Sequence, residues 1–328
     1  MLKREDLIKN KELAYDKAKG SLCGLAIGDS FGDAARSPDN QRDYGITTDF
    51  NKGASWSTDD TEFALMTAEN LILHGGTFTA ENVVEMWLKN VATEDELKRG
   101  GVSEVEACNN LRRGLRPPQS GMFNPYFMSD GAAMRSGPIG IVCAGDPERA
   151  AYLAEVDGSV SHYRDGIWGA QAVAVAVSLA MVDADMDEIL DAVLKTAPED
   201  SWFHEALLRA FRIVEEANGD IADAWMPLHY ELFSTHRSTV AEALPEVFGA
   251  LKLEHKTFKS GLLLAANFGR DADTIGAVAG AILGARYGAS NVPEAWLDKT
   301  RYPSGTCLKF TKGIDIFDYA KKLADLIQ

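Results

Sequence analysis

The chain has 328 residues, 46% of them hydrophobic, a formal net charge of −16 and four cysteines. That composition excludes a disordered chain, and the acidic balance disfavours a nucleic-acid or anionic-membrane surface. No linker, low-complexity tract or short repeat interrupts it, so one domain over residues 1–328 is expected.

Leu7, Leu13, Leu22, Leu25 and Ile27 fall at helical spacings and predict one or two opening helices. The charged run Lys3-Arg4-Glu5-Asp6 stands where a secretory signal would need apolar residues. Phe63, Met66, Leu71 and Ile72 form an amphipathic stripe. From Arg112 to Gly131, Pro117-Pro118, Phe123, Tyr126 and Phe127 read as a long ordered loop. Its aromatics could stack an adenine or anchor the loop, and Arg112, Arg113 and Arg116 could steer a pyrophosphate or stay solvated. Asp146-Pro147-Glu148 reads as an N-cap, a first-turn proline and an acidic first turn. Ala170 to Val182 is apolar nearly all round and predicts a buried helix. Further helices are predicted at Met186–Thr196, Trp202–Ala217, Thr239–Leu251, Phe258–Ala266, Thr274–Tyr287 and Ile316–Ile327. Strand-like alternation is lacking, so the expected class is all-α. Gly276, Gly280, Gly284 and Gly288 share one helix face, which predicts close helix packing. The apolar runs are too short to span a bilayer, and Cys23, Cys108, Cys143 and Cys307 read as reduced thiols. A soluble cytoplasmic protein is the expectation.

Two acidic clusters each precede an apolar helical run. They are Ser57-Thr58-Asp59-Asp60-Thr61 and Asp271-Ala272-Asp273-Thr274. Either alone reads as a helix cap: Ser57 and Asp60 fit a capping box, and Asp271 could cap its helix. Brought together, the carboxylates would repel one another unless neutralised. The donors Thr58, Asp59, Asp60, Asp271, Asp273 and Thr274 are all hard oxygens. Such a set suits Mg²⁺, Mn²⁺ or Ca²⁺, and the lack of His and Cys argues against zinc. Four carboxylates would balance two divalent cations, as in a two-metal hydrolase centre.

These clusters belong to a longer series of segments in order. Gly24-Leu25-Ala26-Ile27-Gly28-Asp29-Ser30-Phe31-Gly32 comes first, and Ser57 to Thr61 second. Asp130-Gly131-Ala132-Ala133-Met134-Arg135, then Ser161-His162 with Gly166 and Gly169, occupy the middle. Asn267-Phe268-Gly269-Arg270-Asp271-Ala272-Asp273-Thr274-Ile275-Gly276 is last. The series resembles the ADP-ribosylglycohydrolases. The resemblance implies a single-domain all-α fold with a binuclear metal site between helix N-termini. It implies two Mg²⁺ ions (Mn²⁺ is possible) on Thr58, Asp59, Asp60, Asp271, Asp273 and Thr274, at the distal ribose hydroxyls. It implies a hydrolase that cleaves ADP-ribose from a modified side chain, with arginine the favoured acceptor. The expected partner is an ADP-ribosylated protein or small ADP-ribosyl conjugate, with no nucleic acid and no membrane. Gly131, Ala132, Met134 and His162 are the expected substrate contacts, with backbone N–H groups of Gly131 to Met134 and the Gly53 loop facing the diphosphate.

Two departures bear on the chemistry. The family usually places a glutamate between its opening helix and first metal motif, whereas no Glu occurs here between Asp29 and Glu62. Arg36 stands about where many members have it, and Asp130 replaces the usual Asn. The candidate proton acceptors are Asp33, Asp60 and Asp130, with Asp33 preferred and Asp60 handicapped as a metal ligand. Each has a plainer reading: Asp33 as a partner of Arg36, Asp130 as an Asx-turn, His162 as a cap of the following helix. Two other functions fit the sequence. One is an ADP-ribose-binding or structural protein without turnover; the other is a hydrolase of another N- or O-glycosylated nucleotide conjugate.

Overall fold

The computed structural model describes residues 2–36, 38–94 and 96–328. Helices make up its regular structure, and among the described residues the extended pairing is confined to an isolated bridge between Ser129 and Thr239. The all-α expectation holds. No helix is long and apolar enough to cross a membrane among the described residues.

Two helices form the spine. The opening helix, Lys11–Ala35, starts at Asn10, whose side chain accepts the Leu13 N–H at 3.1 Å. It packs antiparallel along Ala272–Tyr287. Gly20, Gly24, Gly28 and Gly32 face Gly284, Gly280, Gly276 and Ala272 in turn. A Cβ at Gly28 would lie 1.9 Å from the Gly276 carbonyl oxygen, and one at Gly276 would lie 2.4 Å from that of Gly28. No side chain fits there, so the backbones touch. Each helical glycine costs about 1 kcal/mol of propensity, which the close packing must offset. The glycine stripe thus has the predicted role, with one correction. Gly288 lies past the helix end at φ 76°, where it caps the helix rather than packing its face.

Most other predicted helices are present with shifted ends. They are Pro147–Gly158, Asp165–Ala180, Met186–Leu194, Trp202–Glu216, Val240–Leu253, Phe258–Ala266 and Ile316–Asp325. Asp146 caps the first of these, accepting from the Arg149 N–H at 3.2 Å. The segment 112–131 is ordered as expected. Asn124 anchors it by donating to the carbonyls of Ser103 and Ser161, both at 2.8 Å. Helices Ala80–Asn90, Val102–Arg112 and Ile221–Leu232 were not anticipated. Val102–Arg112 buries Ser103, Glu104 and Asn110 beside Ala107, Cys108 and Leu111, so no apolar stripe marks it. Ile221–Leu232 carries Pro227 in its interior, where proline ordinarily breaks a helix.

Candidate functional site

The glycine seam sets where the acids meet. The C-terminal end of Lys11–Ala35 meets the N-termini of Ala272–Tyr287 and Asp59–Leu73. Both N-termini direct positive dipole ends at the cluster, which favours carboxylates there. Asp29, fully buried, ties the Ser57–Thr61 cluster to the opening helix. It accepts the Thr58 N–H at 2.9 Å and hydroxyl at 2.7 Å, and the Thr61 N–H at 3.3 Å and hydroxyl at 2.5 Å. Burial pushes Asp29 up to about 6 even against those donors. Glu62 anchors the opposite side of the same turn. It accepts the Ser57 hydroxyl at 2.6 Å and the N–H groups of Thr306, Cys307 and Leu308 at 2.7–2.8 Å.

The acids do not serve as caps. Thr58 and Asp271 hold the N-cap positions, and neither side chain accepts a capping hydrogen bond. Ser57 is spent on Glu62 and Ser304 instead of a capping box. Asp59, Asp60 and Asp273 each bring a carboxylate oxygen within 4.8 Å of the others. Asp60 Oδ1 and Asp273 Oδ1 are buried with no hydrogen-bond partner. An unpaired buried carboxylate oxygen is costly and calls for a cation. Burial, then the neighbouring Asp271, pushes Asp273 up to about 7; burial, then Asp273, holds Asp60 well above the usual carboxylate range. A hard divalent cation fits this donor set. Thr274 lines the same cleft, while Thr58 is fully buried, its hydroxyl 2.7 Å from Asp29 and 3.2 Å from Asp60. Asp271 is turned to arginines: Arg36 Nη2 lies at 3.4 Å and Arg237 Nε at 3.2 Å.

Above these acids opens a cleft of about 450 Å³. Its walls include Glu104, Asp130, Gly131 and Met134, with Arg36, Arg99, Arg237 and Arg270. Sequence reasoning missed Glu104, which lies on the unanticipated Val102–Arg112 helix. Its Oε2 accepts the Ser103 hydroxyl at 2.8 Å, and its buried Oε1 has no partner. Burial raises its pKa above the usual range, against the opposing field of Arg135. A Cβ at residue 131 would sit 2.1 Å from Glu104 Oε1, so the glycine there makes room for the carboxylate. Asp130 likewise leaves Oδ2 buried and unpartnered, and burial followed by Asp271 holds it well above the usual range.

Three of the expected site residues lie off the cleft wall. Asp33 does not line the cleft, and its oxygens are occupied. Oδ2 accepts the Trp56 indole N–H at 2.7 Å, and Oδ1 accepts from Arg99, with Arg36 Nη1 at 3.5 Å. Its oxygens are thus turned to Trp56 and the arginines, away from the cleft. His162 is fully buried, with Nε2 2.9 Å from the Ser129 hydroxyl and Nδ1 2.7 Å from that of Ser161. Burial, then Arg135, keeps the ring neutral, so it braces the loop and does not reach the cleft. Ala132 is fully buried and off the cleft wall, and the N–H groups of Ala133 and Met134 are spent on the Asp130 carbonyl. Arg135 holds this turn from behind, donating to the Gly131 carbonyl at 2.8 Å and to Asp157 at 2.6 Å. Arg112 donates to the Ala92 carbonyl and Arg116 to those of Leu111 and Leu115, and the arginines at the cleft are different ones.

A second groove of about 510 Å³ adjoins the cleft through Ser129, Thr235 and His236. Tyr126, Trp202 and Phe233 line it, each residue at least two-fifths exposed (40%, 46% and 60%). An acidic floor, arginine walls and an adjoining aromatic groove together suit a ligand with a sugar, anionic groups and a flat ring.

The family model described as ADP-ribosylglycohydrolase matches residues 10–328. The chain is 27% identical over 328 residues to the ADP-ribosylarginine hydrolase Tri1 of Pseudomonas putida, covering 96% of this chain and 81% of that one. It is 26% identical over 302 residues to the ADP-ribosyl-(dinitrogen reductase) glycohydrolase of Rhodospirillum rubrum, covering 87% and 90%. A solved structure, an ADP-ribosylglycohydrolase-related protein complex, superposes with a TM-score of 0.66 at 20% identity over 96% of this chain and 98% of that chain, which shows the shared fold.

Proposed function

The chain belongs to the ADP-ribosylglycohydrolase family, and from that premise we propose that it is a metal-dependent hydrolase releasing ADP-ribose from a modified side chain, arginine being the favoured linkage. The observation that carries the metal dependence is the pair of buried, unpartnered oxygens on Asp60 and Asp273, with Asp59 converging beside them. Mg²⁺ or Mn²⁺ held there would supply Lewis acidity and a fixed docking point for sugar hydroxyls and water.

The protein's own groups divide the remaining work. Thr274 stands at the cleft edge of the metal ligands, and Thr58 and Asp29 hold Asp60 in place. Glu104 and Asp130 each present a free carboxyl oxygen at the cleft wall and form the proton-transfer pair. One accepts the proton of the attacking water as its oxygen bonds to the anomeric carbon. The other, kept protonated by burial, donates to the nitrogen as the glycosidic bond breaks. Met134 and Gly131 shape the ribose wall. Arg99, Arg237 and Arg270 face the diphosphate, and the aromatic groove of Tyr126, Trp202 and Phe233 receives the adenine.

The arginine linkage is supported by the Pseudomonas relative named for it, and by an acidic wall that attracts a cationic guanidinium leaving group. The test offers arginine-linked and serine-linked ADP-ribosyl peptides to the full chain with Mg²⁺ and with EDTA. Release of ADP-ribose from the arginine peptide only when metal is present is the expected result. ADP-ribose binding without release from either peptide would select the non-hydrolysing alternative.

A further inference from the structure

Arg36 has no role in the chemistry above, yet it reaches into the acids. It stands just past the end of the opening helix and donates from Nη1 to Asp273 Oδ2. Nη2 lies 3.4 Å from Asp271 Oδ1, and Nη1 lies 3.5 Å from Asp33 Oδ1. Its side chain is four-fifths buried (20% exposed), and the acids it meets are at most 5% exposed. A guanidinium taken so far from water is retained by its ion pairs.

Resting on the reading of a metal-dependent centre, we propose that the Arg36 guanidinium permanently occupies one of the two cation positions, so that the site takes one divalent ion. The geometry divides the carboxylates into two sets. Asp59, Asp60 and Asp273 converge within 4.8 Å, and two of them, Asp60 and Asp273, carry a buried oxygen without a partner. Asp271 stands outside it and is paired with Arg36 and Arg237. Asp273 belongs to both sets: Oδ2 accepts from Arg36, while Oδ1 is buried without a partner and the residue converges with Asp59 and Asp60. Charge balance gives the same count. Asp59, Asp60, Asp271 and Asp273 carry four formal negative charges, and Arg36 and Arg237 return two. The remaining two match one divalent cation, where four unpaired carboxylates would have matched two.

Arg36 also explains why the missing family glutamate is tolerated. A carboxylate at its position would add a like charge to a crowded cluster, whereas the guanidinium removes one. Cations carried on the chain need no uptake from solution, so the two charges offset by Arg36 and Arg237 stay offset in metal starvation.

The experiment counts ions. The full chain is loaded with excess Mn²⁺ and desalted. Bound manganese is then measured by mass spectrometry, and the Mn²⁺ electron paramagnetic resonance spectrum is recorded. The wild-type chain should keep about one ion with an isolated-ion spectrum, and Arg36→Gln about two with the spectrum of a spin-coupled pair. Two coupled ions in the wild-type protein would overturn the proposal, as would a single ion in both proteins. No retained manganese in either protein would instead overturn the metal-centre reading beneath it. Arg36→Ala, checked for native helix content by circular dichroism, serves if the glutamine variant does not fold.

Discussion

The acidic cleft lies at one end of the glycine seam, and the two regions solve opposite problems. Along the seam, Gly20 to Gly32 lie against Gly284 to Ala272 with no side chain between the backbones. At the cleft, Asp60, Asp273, Asp130 and Glu104 each leave a buried carboxyl oxygen unpartnered. The first region gains dispersion and shape fit, and the second stores repulsion and desolvation cost. The contrast teaches that the packing supports the charge. Acids this unfavourable persist only where the backbone is fixed by contacts elsewhere.

A Cβ inserted into the seam should break both regions at once. Gly28→Ala places one 1.9 Å from the Gly276 carbonyl oxygen, so a loss of about 3 kcal/mol or outright unfolding is expected. Denaturant titration measures it, and a midpoint unchanged from wild type would mean that the helices separate easily.

The cleft should respond in the other direction. Asp60→Asn removes one of the repelling charges while keeping the shape of the side chain. Metal affinity should fall by at least about 100-fold, while the metal-free chain gains about 1–2 kcal/mol of stability. Calorimetric titration with Mn²⁺ and urea unfolding in EDTA read the two effects separately. A variant less stable than wild type in EDTA would show that the acids are paired better than the geometry indicates.

Trp202→Ala tests the groove beyond the cleft. Loss of one stacking face should weaken ADP-ribose binding by roughly tenfold and leave Mn²⁺ affinity unchanged. A parallel loss of metal binding would tie the groove to the fold and not to the ligand.

The smallest expected effect is the pH slope. Asp273 is raised to about 7, with Asp60 and Asp130 raised well above the usual range. The native state therefore holds protons that the unfolded chain, with ordinary carboxyl pKa values, has released. Native stability without metal should rise as pH falls through about 7, with Asp273 alone contributing up to about 1.4 kcal/mol per unit. Bound Mn²⁺ should reverse the slope, because protons compete for the same oxygens. Melting temperatures across this range, with Mn²⁺ and with EDTA, check both signs.

Much of this contrast was legible in the residue order. The acidic pairs stood at two helix starts, and Gly276, Gly280 and Gly284 announced a tight packing face. Their partners Gly20 to Gly32 carry the same four-residue spacing, which could have predicted the antiparallel seam. Glu104 was not legible, because its helix buries polar residues and shows no apolar stripe. The surroundings of Asp33 were not legible for a related reason. Nearness in sequence to the family's glutamate said nothing of Trp56 and Arg99, which arrive from elsewhere to occupy its oxygens. His162 fell in a family-like segment, yet Ser129 and Ser161 take both ring nitrogens. Long-range partners decide whether a polar group serves a site or supports it, and local pattern does not encode them.

The central claim is that the seam positions Asp59, Asp60 and Asp273 to hold a divalent cation. Anomalous diffraction from a crystal grown with Mn²⁺ tests it most directly. The account predicts a manganese peak within about 2.0–2.6 Å of carboxylate oxygens from these three residues. A cleft without such a peak, in a crystal of protein that hydrolyses ADP-ribosyl-arginine equally well in EDTA, would contradict it.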